Sequence, residues 1–266
     1  MKPLLWLLLW FAVGLSHPVC VRAQDQIASE VYAWTNAPVT TTESGFRRTL
    51  VRGGATDFNF MDISASTLLP GRGEPERSSA DVEEMIIVKE GSLRITLNGN
   101  PNTVGRGSVA VVMPGDKRSF TNAVNGETTF YTLRYQSKKS LNAARGAQSG
   151  GSFVLNWDDV KPTPRSDGKG ETRNFFAKPT AMGSRLELHS TLLSPSQNSH
   201  APHRHRAEEM VILLDAEVEM YLGPGEKDGK VRRATSGDII YLVSNEYHAI
   251  SNIGSKPALY LAFQFE

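Results

Sequence analysis

The chain is written twice, and that repeat limits its fold more than any other feature. Strand-like runs from Phe58 to Leu69 and from Leu186 to Leu193 each end at a proline, Pro70 and Pro195. Fourteen residues after each proline comes Glu-Met, at Glu84-Met85 and Glu209-Met210, with a second glutamate before it, Glu83 or Glu208. Apolar runs follow, Ile86-Ile87-Val88 and Val211-Ile212-Leu213-Leu214, all at an offset of 125. A longer turn from Gly223 to Gly229 then raises the offset to 130, so that Gly107 matches Gly237 and Asn122 matches Asn252. Upstream, Val31-Tyr32-Ala33-Trp34 echoes Val154-Leu155-Asn156-Trp157. A repeat of this kind reads as two copies of one structural unit.

Each copy consists of short strand-like runs between clusters of Gly, Pro, Asn and Asp, and no stretch keeps helical periodicity over three turns. This spacing predicts an all-β chain of two barrels or sandwiches. The segment from Ser137 to Ser152, rich in Ser, Gly, Ala and Lys, reads as a linker. The boundary is placed near residue 145, with one barrel over 24–145 and the other over 146–266. At 39% apolar and 21% charged, the composition is that of an ordinary globular protein. The formal net charge is +1 with no basic run, which argues against a nucleic-acid partner.

Residues 1–23 are set apart. Lys2 precedes an uncharged apolar stretch from Pro3 to Leu15, and Val21-Arg22-Ala23 suits a cleavage site. This is the layout of a secretory signal peptide and is short for a membrane span. Cleavage after Ala23 would leave a mature protein starting at Gln24, periplasmic or secreted, with no stable membrane insertion. It would also remove Cys20, the single cysteine, and leave 27 basic against 28 acidic residues. Such a protein has no disulfide and depends on its packed core.

The histidines divide unevenly. Apart from His17, all of them (His189, His200, His203, His205 and His248) lie in the second copy. His203, His205 and Glu209 share parity, so one extended segment would aim all three at a common point, and His248 comes from a later run. Three imidazoles and a carboxylate suit one divalent transition ion (Mn, Fe, Co, Ni, Cu or Zn) better than Ca or Mg.

At this point the residues resemble the cupin superfamily, whose two motifs are G-x5-H-x-H-x3or4-E-x6-G and G-x5-P-x-G-x2-H-x3-N. His203, His205 and Glu209 fall at the positions of the first motif, and Gly237, His248 and Asn252 at those of the second. Gln197 and Ala216 replace glycines of the first motif, and Val243 and Asn245 replace the Pro and Gly of the second. The resemblance implies a duplicated jelly-roll, or double-stranded β-helix, with a metal site in the C-terminal barrel. The first copy carries Ser78, Ala80, Glu84 and Arg118 at the ligand positions. There Arg118 is expected to reach the place of the ion and pair with Glu84; the rival reading is that it meets an anionic ligand.

Other residues are weaker site candidates. His189 and Gln264 are placed near the second pocket, Gln264 at the position of Arg134 in the first copy. His200 precedes the ligands, while Tyr241 and Tyr260 are read as packing. A bicupin with one C-terminal site is similar to ureidoglycine aminohydrolase-type proteins, although their ligand set mixes Glu, His and Gln. The expected function is a metal-dependent hydrolase, isomerase or dioxygenase for a small organic acid, ureido acid or sugar derivative. The alternative is an exported protein that binds a sugar or organic acid without turnover. The sequence leaves the oligomeric state open, a homo-oligomer included, because fold alone names no reaction or assembly.

Overall fold

A computed structural model describes residues 25–266; the expected signal peptide lies outside the described residues. The described chain is built almost wholly from antiparallel strands in four sheets, two for each copy. The first barrel joins a seven-stranded sheet to a four-stranded one, and the second joins a seven-stranded sheet to a three-stranded one. The fold is a duplicated jelly-roll, the two β-barrels that the repeat predicts in the form that the family resemblance implies.

Alternation along the central strands explains how the barrels fill and how they meet. In the strand Glu83–Glu90, Ile86 and Val88 join Leu93, Phe120 and Phe130 inside the first barrel. Met85 and Ile87 point the other way, into an apolar cluster that runs through both barrels. In Glu208–Asp215, Val211 and Leu213 fill the second barrel, while Met210 and Ile212 join the shared cluster. Strands buried on both faces read as continuous apolar runs, which is why no polar alternation marks them in the sequence. Each fully buried side chain of this kind contributes about 1.5–3 kcal/mol, so the shared cluster binds the two barrels tightly.

The doubled glutamates follow the same rule. Glu84 and Glu209 share parity with the barrel interiors, while Glu83 and Glu208 face the opposite barrel. Glu83 accepts hydrogen bonds from Tyr135 Oη at 2.5 Å and from the Met182 amide at 3.2 Å. Glu208 accepts from the Thr56 amide and hydroxyl, both at 2.9 Å. Each copy thus gives a buried carboxylate to main chain of the other. Burial raises the pKa of both, against the pull of these donors.

The two copies also exchange strands. Glu30–Tyr32 pairs with Ile239–Leu242 on the sheet of the second barrel, and its repeat equivalent Phe153–Leu155 pairs with Val109–Val112 on the sheet of the first. The tryptophans that follow are docked reciprocally. The Trp34 amide donates to Asp238 Oδ1 at 2.8 Å, and the Trp157 amide to Ser108 Oγ at 3.0 Å. Each indole lies against the equivalent glycine, Gly237 (φ +98°) or Gly107 (φ +82°), where a Cβ would collide with Trp157 or crowd Trp34. The expected boundary near residue 145 falls within a short helix, Ala143–Gln148.

Candidate metal centre

The first two histidines do not sit on a regular strand, and here the structure corrects the expectation of one extended segment. Residues 199–207 are irregular except for an isolated bridge at His203, and Glu209 belongs to the strand Glu208–Asp215. His203 is held by two main-chain bonds to His248, 3.1 Å and 2.8 Å long, so the ligands of the two motifs are fastened by backbone. The Asn245 amide donates to the His205 carbonyl at 2.8 Å and fixes the turn before His248. Asn245 adopts φ +64°, matching Gly115 at φ +92°, and Ser196 at φ +56° matches Gly71 at φ +69°. Asn enters this region more readily than most residues, so the motif's turn survives without its glycine.

One nitrogen each from His203, His205 and His248 lies within 4.8 Å of the other two. Glu209 Oε2 sits 3.1 Å from His205 Nε2 and 3.8 Å from His248 Nε2. Gln264 Nε2 donates to the same carboxylate oxygen at 3.0 Å. Gln264 therefore does reach the site, and Arg134 makes the equivalent bond to Glu84 in the first barrel at 3.1 Å.

The electrostatics suit a cation. Burial lowers the pKa of His248 and of His203, which keeps both imidazoles neutral and able to coordinate. Burial opposes ionisation of Glu209, but the His205 hydrogen bond, the nearby His248 and the Gln264 amide outweigh it and hold the carboxyl at about 2. The hydrogen bond to Glu209 raises His205. His248 Nδ1 lies 3.0 Å from the Glu246 carbonyl, which turns Nε2 inward. That Nε2 is buried with no hydrogen-bond partner. A buried donor or acceptor left unpaired is costly, and an ion among the three imidazoles satisfies it. The residues present fit a divalent transition metal, with Glu209 placed to complete the set.

Next to the histidines lies a cavity of about 60 Å³. His189, His200, Thr191 and Tyr260 line it, so His189 and His200 belong to the pocket and Tyr260 touches it as well as packing. Tyr241 packs in the cluster between the barrels. The His200 ring stands 4.1 Å from that of His203, edge to face. Arg165 also lines the cavity, and no sequence motif announced it. Its Nε and Nη2 bond to Asp167 at 3.0 Å and 2.6 Å, and Nη2 also donates to the Ser199 carbonyl at 2.8 Å.

The first barrel keeps the frame without the ligands. Arg118 donates to both oxygens of Glu84, as expected, and Arg134 shares that carboxylate.

With this geometry in place, the chain belongs to the cupin family. The family described as Cupin domain matches twice, over residues 65–133 and 190–263, once in each barrel. Among solved structures, the chain is similar to a formate complex of Lactobacillus farciminis oxalate decarboxylase (13% identity, TM-score 0.69, covering 90% of this chain and 86% of that one). It is similar to Bacillus subtilis oxalate decarboxylase (12%, TM-score 0.69, 92% and 78%) and to AerE from Microcystis aeruginosa (11%, TM-score 0.67, 90% and 100%). At these identities the likeness is one of fold. No curated protein matches the chain.

Proposed function

We propose that this protein is an exported metalloenzyme that holds one divalent transition ion on His203, His205, Glu209 and His248 and acts on a small carboxylate-bearing metabolite. The observation that carries this reading is the inward, unpartnered His248 Nε2 within the cluster of three imidazoles. When bound, the ion would polarise a substrate oxygen or lower the pKa of a bound water. The substrate class rests on the cavity beside the ligands. About 60 Å³ suits a ligand of a few heavy atoms. Asp167 takes the Nε–Nη2 fork of Arg165 and the Ser199 carbonyl the other Nη2 hydrogen, leaving Nη1 to donate a charge-assisted hydrogen bond to a carboxylate. Burial lowers the pKa of His200, so its imidazole is neutral and can accept a proton. His189 is the other imidazole on this cavity. The oxalate named for two similar folds is a small acid of the same class.

The test is turnover of a panel of small acids, including a ureido acid, by metal-loaded and metal-stripped protein. Turnover only in the loaded form, with KM raised in Arg165→Gln, supports the reading; equal activity in both forms overturns it. A second reading, capture without turnover, draws on the cavity lining, where Glu209 is the one carboxylate among the described residues. Tight binding of an acid that is recovered unchanged would favour it. Export rests on residues 1–23, and N-terminal sequencing of protein recovered outside the cytoplasm should start at Gln24. An intact Met1, or a lipid on Cys20, would refute cleavage after Ala23.

A further inference from the structure

The first barrel has lost its histidines but not its cavity. A space of about 110 Å³ opens where the second barrel places its ligands. Arg47, Arg77, Arg118 and Arg134 line it, against Glu74, Glu84 and Asp116. Glu84 spends both oxygens on two arginines, receiving Nε and Nη2 of Arg118 and Nε of Arg134. One carboxylate thus faces two guanidinium groups. Arg47 is drawn towards Asp62 at 3.8 Å, and Asp62 is shared with Arg52 at 3.4 Å. Glu74 accepts from Ser66 and Asp116 from Ser152.

The Arg118 side chain is only 8% exposed, yet its Nη1 has no hydrogen-bond partner. A buried guanidinium N–H without an acceptor is costly. The guanidinium also lies over the Phe120 ring, 4.8 Å from its centroid, and Nη1 is closed to solvent, so Arg118 serves mainly to hold Glu84. The donors open to the cavity are those of Arg134, whose side chain is 35% exposed and bonds to Glu84 through Nε alone, and the excess positive charge favours an anionic ligand there.

We propose that the first barrel is a small-anion site that takes a monocarboxylate, with the Nη groups of Arg134 as its donors and Arg118 fixing the Glu84 carboxylate that orients Arg134. Planar carboxylates match the arginine fork. The three acidic side chains around the cavity offset most of the arginine charge and leave a net excess of one, which suits a singly charged carboxylate over a phosphate dianion. The site is independent of the metal centre, since no ligand of the second barrel contributes to it.

The test uses full-length protein carrying His203→Ala, His205→Ala and Arg165→Gln, which removes both the metal ligands and the arginine of the second cavity, so that bound anion reports on the first barrel. Calorimetric titration with acetate, lactate and inorganic phosphate, each at millimolar concentration, reads the preference. The expected result is that a monocarboxylate binds and phosphate does not. Adding Arg134→Gln, which leaves the Arg118–Glu84 pair intact, should weaken binding about tenfold or more. Arg77→Gln serves as a second variant, removing another arginine charge from the cavity lining while leaving the bonds to Glu84 intact, and should weaken binding likewise. Absence of binding by any of the three anions overturns the proposal. So does binding unchanged by either variant, and phosphate binding as well as the carboxylates overturns the assigned class.

Discussion

Arg118 donates from Nε to Glu84 Oε2 at 2.7 Å and from Nη2 to Oε1 at 3.2 Å, filling the positions that His248 and Glu209 hold in the other barrel. Both side chains are 8% exposed, so the charges lie out of water. Breaking such a pair by removing one partner costs about 3–5 kcal/mol, while replacing both with apolar groups is often near neutral. Arg118→Ala should fall towards the low end, near 3 kcal/mol, because Arg134 still holds Glu84. Arg118→Met with Glu84→Leu should recover much of the loss. Chemical denaturation measures both, and metal content should stay unchanged. Equal stability of Arg118→Ala and the parent would mean the pair carries no weight.

The metal centre gives a direct count. Purified protein should hold about one transition ion per chain, measured by elemental analysis. His203→Ala with His205→Ala should abolish this while circular dichroism still shows the β fold. Gln264→Leu removes a bond to Glu209 without removing a ligand. Its affinity should drop about 10- to 100-fold, the usual effect of losing a partner of a ligand. Retention of full affinity by the double histidine variant would dismiss the site.

The exchanged strands predict where damage will be felt. Trp34 belongs by sequence to the first copy but docks on Gly237 and Asp238 of the second. Trp34→Ala should cost about 2–3 kcal/mol, below the 3–5 of a fully buried tryptophan because the indole is partly exposed. Hydrogen exchange should quicken at Ile239–Leu242 and leave Val109–Val112 protected. Loss of protection in the first barrel instead would contradict the pairing.

The reciprocal glutamates make stability depend on pH. Burial raises both Glu83 and Glu208 above the ordinary 4.5, so the folded state holds protons that the unfolded chain releases. Their contribution is fully present below about pH 4.5 and is lost as pH rises through the raised folded values. Asp57, held below 3.8 by its bond to Arg206 across the barrels, acts in the opposite sense and contributes above that value. Glu83→Gln with Glu208→Gln should therefore flatten the decline in stability above pH 4.5. Denaturation midpoints across the range would show it, and an unchanged slope would count against it.

Much of this was legible in the chain because a period leaves a trace that needs no tertiary knowledge. Proline, Glu-Met and the glycines kept their spacing, and the histidines kept the positions of the family motif. What sequence could not show were relations across the repeat. Glu83 and Glu84 are identical in type, and only the facing of their strand sends one to the other barrel and one to an arginine. Arg165 reaches the second pocket from a turn with no signature. The echo of Val31-Tyr32-Ala33-Trp34 in Val154-Leu155-Asn156-Trp157 was visible, but not that each segment lies on the other's sheet. Pairing of distant strands depends on edges that local composition does not encode.

That crossing has a consequence for any attempt to study one barrel alone. Cut near residue 145, the first half keeps Glu30–Tyr32 with no sheet to join and exposes the edge of Val109–Val112, where Phe153–Leu155 belonged. Such a fragment carries both a donor segment and a vacant acceptor edge, and an open edge invites pairing with another chain. Two fragments can satisfy each other by trading arms, a low-cost route to a symmetric dimer. The intact protein holds this arrangement within one polypeptide, as a swapped pair whose subunits are fused end to end.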